Sequence, residues 1–434
     1  MEDKMDVIVV GAGVAGSAAA YKMAKAGLSV LLVDRAKPIG SKNLSGGVLW
    51  GHDLGEVMPD WWKEGLEAGA IERPITTKGI NMLTKDAGFQ AQFNTNAWRK
   101  EPYNGFSVLR ARFDQWLANK VMEAGGMVVD GVMVDKLAVD DNGKVFGVEQ
   151  GGDVIKSDCV VLADGCNSRL SITHGLRGKL NRQTYVLGVK EVIKLDQKVL
   201  EDRFNIGPNE GVAQEYALGY LENGAKAGGF LYTNRDTISL GVVINLDSIW
   251  QKGVYTHRIM EEFRLHPSIA PLLKGGELVE YGAHLIPEGG MHNVPQLYGN
   301  GWVIAGDAAG FVYSNGTVIH GMNYAIRSGL IAADAVIGAK KAGDYGAAQL
   351  SSYKKGLENS YILKDFEKFE HTHEFVWDDN LHSTIPKLIS GVFTDMYTAD
   401  MQPKKGAEKI VMQNLKGVNK WSLAKTMIKG RKSV

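Results

Sequence analysis

Residues 7–33 restrict the fold more than any other stretch. An apolar run, Val7-Ile8-Val9-Val10, leads into Gly11-Ala12-Gly13-Val14-Ala15-Gly16 and then into a small-residue helix through Lys25. Gly27 stops that helix, and Leu28 to Val33 supplies a second buried strand. Strand, GxGxxG turn and helix in this order form the dinucleotide fingerprint. Its glycines permit a tight turn, close approach of the backbone to a pyrophosphate, and close helix–strand packing. The pyrophosphate rests on the positive end of the helix dipole. Gly11, Gly13, Val14, Ala15 and Gly16 are therefore expected at a nucleotide. Asp34 lies 18 residues after Gly16 at the end of the second strand, where a carboxylate accepts both ribose hydroxyls and repels a 2′-phosphate. Arg35 and Val132 are assigned to the same site.

Two further strand ends decide which nucleotide. Asp164-Gly165 closes a buried strand in VVLADGCNSRL, and Gly306-Asp307 closes another in WVIAGDAAGF. Each brings a carboxylate and a pliable backbone to the carboxyl end of a strand, where α/β sheets bind ligands. A nicotinamide site has no use for the distant Gly-Asp, whereas the ribityl chain of a flavin carries hydroxyls that need an acceptor. Arg110, entering the helix LRARFDQWLA, adds a cation for the pyrophosphate. Ala163, Asp164, Gly165, Gly306 and Asp307 are thus expected around FAD. A long Ala/Gly-rich helix starting near Gly321-Met322-Asn323 is expected to aim its N-terminal amides at the pyrimidine edge of the flavin, stabilising an anionic reduced form.

Composition narrows the class. With 44% hydrophobic and 23% charged residues in 434, the chain is ordinary for a globular protein with two or three domains. It holds no 18-residue apolar run, and a strand-like run near the N-terminus leaves no room for a signal peptide. The two cysteines, Cys159 and Cys166, suit a reducing cytoplasm and cannot supply the four thiolates of an iron–sulfur cluster. Cys159 is expected to begin a buried strand, with Asp164 and Gly165 rather than either thiol serving the cofactor. His371 and His373 would point about 200° apart on a helix, so no metal site is expected. No Gly-x-Ser-x-Gly, HExxH or P-loop supports hydrolase or kinase chemistry. Residues 404–434 carry eight Lys, one Arg and one Glu, a net +8 that residues 1–403 balance with −8. Such an asymmetry points to an anionic lipid surface or an acidic partner, or else to a solvated helix with frayed basic ends.

The order GxGxxG, Arg-x-x-Phe-Asp, Asp-Gly-x-x-Ser, Gly-Asp-Ala-Ala-Gly resembles the glutathione-reductase-like FAD superfamily in its hydroxylase and geranylgeranyl-reductase branch. Asn43-Leu44-Ser45-Gly46-Gly47, Gly228-Gly229-Phe230-Leu231-Tyr232, and His266-Pro267-Ser268-Ile269 with Tyr281-Gly282-Ala283 and Glu288-Gly289-Gly290 narrow this to one family. Together they resemble electron-transfer-flavoprotein:quinone oxidoreductase of the shorter FixC (EtfC) type, over nearly all of residues 5–365. The resemblance implies an α/β fold: a glutathione-reductase-like FAD-binding Rossmann fold, an interleaved antiparallel-sheet quinone domain and a helical C-terminal region. FAD-binding parts are expected at 1–75, 106–184 and 286–345, a quinone- or membrane-facing insertion at 76–105, the quinone sheet at 185–285, and helices at 346–434. It places Ser45, Gly46 and Gly47 near the flavin and Gly228, Gly229 and Tyr232 at the quinone. The long form of the family carries a [4Fe–4S] domain that has no counterpart here, which implies a separate ferredoxin-like subunit beside the electron-transfer flavoprotein α and β subunits. A prenylated quinone, menaquinone or ubiquinone, implies a peripheral position on the cytoplasmic face of a membrane, with no nucleic-acid partner. A geranylgeranyl or prenyl-lipid reductase and an NAD(P)H-dependent aromatic hydroxylase are the competing functions.

Overall fold

The structure is a computed structural model and describes residues 4–43, 47–316 and 318–433. The opening unit forms as the apolar pattern demands. Strands β1 (Met5–Val10) and β2 (Val30–Val33) pair in parallel around the helix Val14–Lys25, with Val7 opposite Val30. Both strands are buried along their Val/Leu runs, as a strand covered on both faces requires. The chain then leaves this sheet for β3 (Gly47–Trp50), β4 (Ile71–Leu83), β5 (Gly88–Asn94) and β6 (Gly105–Val108). It returns through the helix Arg110–Glu123 to β7 (Met127–Val129), β8 (Lys136–Val139), β9 (Val145–Gln150) and β10 (Asp153–Leu162). A second excursion supplies β11 (Val186–Lys194), β12 (Gly211–Leu218), β13 (Ala227–Thr233), β14 (Thr237–Asn245) and β15 (Glu277–Ile286). Finally β16 (Tyr298–Gly299) and β17 (Trp302–Ile304) rejoin the first sheet.

Two sheets result, in the orders β16-β17-β10-β1-β2-β7 and β15-β11-β14-β13-β12-β4-β6-β3. The first is parallel from β17 to β7. The second is antiparallel except where β12 runs parallel to β4. The segment expected as an insertion thus belongs to the second sheet. Residue 75 falls inside β4, at the point where that strand changes partner: residues 71–74 pair with β6, and Ile75 onward with β12. Pro74, which cannot donate to a ladder, sits at the change. Arg73 beside it is fully buried and donates to the carbonyls of Gly207, Pro208, Glu210, Asn234 and Arg235, tying the loops of the second sheet to β4.

Cys159 does not begin its strand. β10 starts at Asp153, and its first part forms an exposed hairpin with β9 before Cys159 comes opposite Val7. The charged alternation DVIKSD hides that half from a search for apolar runs. The helix Met322–Ala342 crosses the helix Val14–Lys25 so closely that a Cβ on Gly329 would lie 2.2 Å from the Ala15 carbonyl oxygen. That contact accounts for its Ala/Gly-rich sequence. The basic tail is not frayed: the helix Lys420–Ser433 docks on the segment 372–380, where Thr426 donates to Asp378 at 2.7 Å and Asn380 donates to Thr426 at 2.8 Å.

Candidate flavin and substrate cavity

A cavity of about 980 Å³ opens where the carboxyl ends of the first sheet meet one face of the second. Gly11, Gly13, Val14, Ala15, Asp34, Arg35, Gly47, Arg110, Val132, Ala163, Asp164, Gly165, Asp307, Gly321 and Met322 line it. Gly228, Gly229 and Tyr232 line the same space. Gly16 and Gly306 lie just behind its wall as packing positions, where a Cβ would meet the Gly11 carbonyl at 1.9 Å and the Ala15 Cβ at 2.8 Å. Asn323 lines a separate cleft with Asp53, Glu56, Arg327 and Tyr361. Ser45 and Gly46 lie outside the described residues.

The phosphate-binding turn is built on Gly11. Its φ of +105° and the Ala163 carbonyl oxygen, 2.2 Å from where a Cβ would stand, exclude every side chain. Asp34 accepts the Ala12 N–H on Oδ2 and the Ala36 N–H on Oδ1, each at 2.7 Å. Each carboxylate oxygen keeps a further lone pair, the arrangement a ribose diol needs. Val132 donates its N–H to the Asp34 carbonyl at 2.9 Å, fixing the loop beside it. Arg110 forks onto Asp114 at 2.6 and 2.8 Å, and its guanidinium lies against the bare face of Gly13.

The two strand-end turns form one clamp. Ser168, at φ +43°, donates to the carbonyls of Gly165 and Ala308, at 3.0 and 3.3 Å. Arg177 donates to the Ser168 hydroxyl at 2.9 Å and to the Ala308 carbonyl at 2.6 Å. Asp164 accepts the Leu170 N–H at 3.2 Å on one oxygen, while its buried Oδ1 has no partner among the described residues. Burial raises the pKa of both Asp164 and Asp307, against the pull of nearby arginines. An orphaned carboxyl oxygen, a turn that only glycine fills, and a helix N-terminus at Gly321 are what FAD requires, so the residues present fit the cofactor. Ser168 was legible as the serine of Asp-Gly-x-x-Ser; Arg177 had no sequence signal.

The second sheet provides the facing wall. Alternation along β13 puts Gly228, Phe230 and Tyr232 on the cavity face, whereas the side chains of Ala227 and Leu231 and the Cβ direction of Gly229 point to the opposite face, so Gly229 borders the cavity with backbone alone. The paired glycines therefore do different things. A Cβ on Gly229 would strike the buried Phe263 ring at 2.6 Å, whereas one on Gly228 meets nothing nearer than 3.7 Å. No bulge interrupts the strand, which is paired on both sides with β12 and β14, so Gly228 contributes space rather than unpaired backbone groups. The Tyr232 hydroxyl donates to Glu215 at 3.4 Å, and Glu215 also pairs with Lys78. Burial raises the Tyr232 phenol, which stays protonated.

A third wall was read in the sequence only as a histidine segment. Phe375, Val376, Trp377, Leu381 and His382 line the cavity together with Glu288 and Ser314. Trp377 donates from Nε1 to Glu288 at 2.9 Å and stacks on His382 with centroids 5.4 Å apart. Lys226, just ahead of Gly228, donates to the Trp377 carbonyl at 2.6 Å and pairs with Asp379 at 2.8 Å. Burial pulls His382 down to about 4, so the stacked ring is neutral at pH 7. Both cysteines are buried and free, and burial lifts Cys159 to about 12.

Three family models match the chain: FAD dependent oxidoreductase over residues 6–101, ETF-QO, ubiquinone-binding, over 185–286, and ETF-QO/FixC family C-terminal domain over 371–434. The chain is 40% identical to the probable electron transfer flavoprotein-quinone oxidoreductase YdiS of Escherichia coli K12, across 99% of both chains. It is 37% identical to the FixC protein of Azotobacter vinelandii, across 96% of both. Among solved structures it resembles a geranylgeranyl bacteriochlorophyll reductase-like protein from Thermoplasma acidophilum, with a TM-score of 0.69 and 20% identity over 98% of this chain and 99% of that one. The flavin-dependent brominase Bmp2 follows the same fold, with a TM-score of 0.62 and 19% identity over 96% and 100%.

Proposed function

The chain belongs to the electron-transfer-flavoprotein:quinone oxidoreductase family, in its FixC branch, and on that premise we infer that it is the FAD subunit through which electrons pass from electron-transfer flavoprotein to a quinone. It is an FAD-dependent oxidoreductase. The observation that carries the finer reading is the single cavity joining the flavin motifs to the Gly228 face of the second sheet. Bound FAD supplies the chemistry that takes electrons in pairs or singly, which suits a relay between unlike partners.

In this reading the turn from Gly11 to Ala15 and Arg110 hold the pyrophosphate, with Gly16 packing behind it, Asp34 holds the ribose, and Asp164 and Asp307 the ribityl side. The amides at Gly321 and Met322 favour negative charge on the reduced ring. Gly228 leaves room for the quinone head against β13, with Tyr232 at its edge. FAD-holding parts at 1–75, 106–184 and 286–345 enclose a quinone sheet at 185–285 extended by 76–105. A ferredoxin-like subunit carries the cluster that two buried cysteines cannot hold.

The protein would work at a membrane surface, on its cytoplasmic face. No helix among the described residues is long and apolar enough to cross a bilayer. Supporting attachment, β5 packs beside the helix Thr384–Tyr397, with Phe89 and Phe393 centroids 5.0 Å apart, and Phe93 farther along β5, Tyr397 at the helix end and Met401 beyond it are exposed. The lysines of the tail follow immediately. To test the function, the FAD-loaded protein, purified with its neighbouring subunits, is mixed with reduced electron-transfer flavoprotein and a short-chain menaquinone or ubiquinone. Quinone-dependent reoxidation is expected. Failure with both quinones, together with reduction of a geranylgeranyl lipid, would replace this reading with a prenyl reductase.

A further inference from the structure

Glu288 follows the last residues of β15 and lines the cavity with its side chain only 2% exposed. One carboxyl oxygen, Oε2, accepts the Trp377 indole N–H at 2.9 Å. The other, Oε1, has no hydrogen-bond partner among the described residues, although Ser314 stands close by. A buried carboxyl with an idle oxygen costs the fold unless it is kept protonated or used. Nothing in the flavin site described above uses it.

Two neighbours place it in a route. On the outer side His373 Nδ1 lies 3.8 Å from Oε2, a separation that a small shift of the ring would close, and the imidazole is 26% exposed to solvent. On the inner side Trp377 is tethered by Lys226 to the start of β13, next to Gly228. The carboxyl thus lines the same cavity as Gly228, with His373 on its outer side. His292 from the turn Gly290–Asn293 and Glu374 from the helix Thr372–Val376 act on His373, while the neutral His382 lines the same cavity, stacked on Trp377. His373 is the one basic side chain within 4 Å of the Glu288 carboxyl among the described residues, and burial lowers its pKa. Burial pushes the Glu288 carboxyl up to about 7, with Trp377 and Ser314 pulling the other way.

We propose that Glu288 is the proton donor to the quinone, reloaded from solvent through His373. The assignment rests on the quinone reading of the same cavity. Reduction of a quinone to a quinol takes up two electrons and two protons. Both electrons come from the reduced flavin, and one proton is released as that flavin is oxidised. The other leaves the Glu288 carboxyl, forming the second quinol O–H bond and a carboxylate, which regains a proton from water by way of the His373 imidazole.

The test compares reoxidation of the dithionite-reduced FAD-loaded protein by a short-chain quinone with reoxidation by ferricyanide, which takes electrons and needs no proton. In the unaltered protein the ratio of quinone to ferricyanide rates is expected to fall as pH rises through about 7. In Glu288→Gln the ratio should drop more than ten-fold at pH 6 and lose that break. Trp377→Phe removes the donor that favours the carboxylate, so its break should move to higher pH. Infrared difference spectra of the flavin-free chain should show a protonated carboxyl below the break that Glu288→Gln lacks. An unchanged ratio and break in Glu288→Gln, or a break that stays put in Trp377→Phe, would overturn the proposal. Electron transfer to ferricyanide but to no quinone in the unaltered protein would instead overturn the quinone reading, and the proposal with it.

Discussion

Gly228 and Gly229 are chemically identical neighbours with opposite demands. Gly229 abuts the fully buried Phe263 ring, and the ring tip has little room to retreat. Gly229→Ala is expected to destabilise the fold by about 1–3 kcal/mol through overpacking, read as a lower denaturation midpoint. Gly228→Ala projects a methyl group into open cavity. Its stability should stay within about 0.5 kcal/mol of the parent, while its KM for a short-chain quinone rises several-fold. Equal destabilisation by the two variants would show that the alternation along β13 has been misread. The pair was legible as a strand that lets something flat approach, but which glycine faces the cavity depends on the register of β12 and β14. The same holds at the flavin. Gly11, Asp34, Asp164 and Asp307 could be found because short-range turn chemistry dictates their identity. Arg177 could not, because the turns at 165–168 and 306–309 that it joins lie about 140 residues apart and meet only when β10 and β17 pair.

At the level of elements, β11 carries a burden that its neighbours do not relieve. Lys190 is 1% exposed, stands between Gly241 of β14 and Gly282 of β15, and its ammonium nitrogen has no hydrogen-bond partner among the described residues. Burial lowers its pKa from 10.5 to about 7, with Glu280 opposing the shift. Between those values the unfolded chain binds a proton that the folded chain does not, so stability should rise with pH from 7 toward 10. Lys190→Met is expected to lessen that slope in the flavin-free protein, the remainder coming from Lys78, which burial also lowers to about 7, and to stabilise it by about 1–3 kcal/mol at pH 7, measured by urea denaturation at pH 7 and 9. A parent stability that is flat with pH would count against the buried-amine account. The tail teaches the converse lesson about reading elements. Its charge pattern was visible, but its packing against the segment 372–380 was not, because Thr426, Asn380 and Asp378 are ordinary polar residues until they face one another.

Across the whole molecule, charge and apolar exposure converge. The +8 of residues 404–434 adjoins the exposed Tyr397 and Met401, the latter 98% exposed. Each basic residue near an anionic surface contributes up to about 1 kcal/mol, a term that salt screens. Binding to vesicles containing anionic lipid is expected at low salt and should weaken several-fold as salt rises. The double variant Phe93→Ser, Tyr397→Ser should weaken it further at every salt concentration, measured by co-sedimentation. Unaltered binding by that variant would move the contact elsewhere. The connectivity that sets this face beside the cavity has a further result. The chain passes between its two sheets four times, and β4 itself serves both the β6 pairing and the β12 pairing. Neither half can be cut out as a module or exchanged wholesale for another. A lineage that acquires a new electron acceptor must rebuild the acceptor side residue by residue, around a flavin cradle held in place by the same continuous thread.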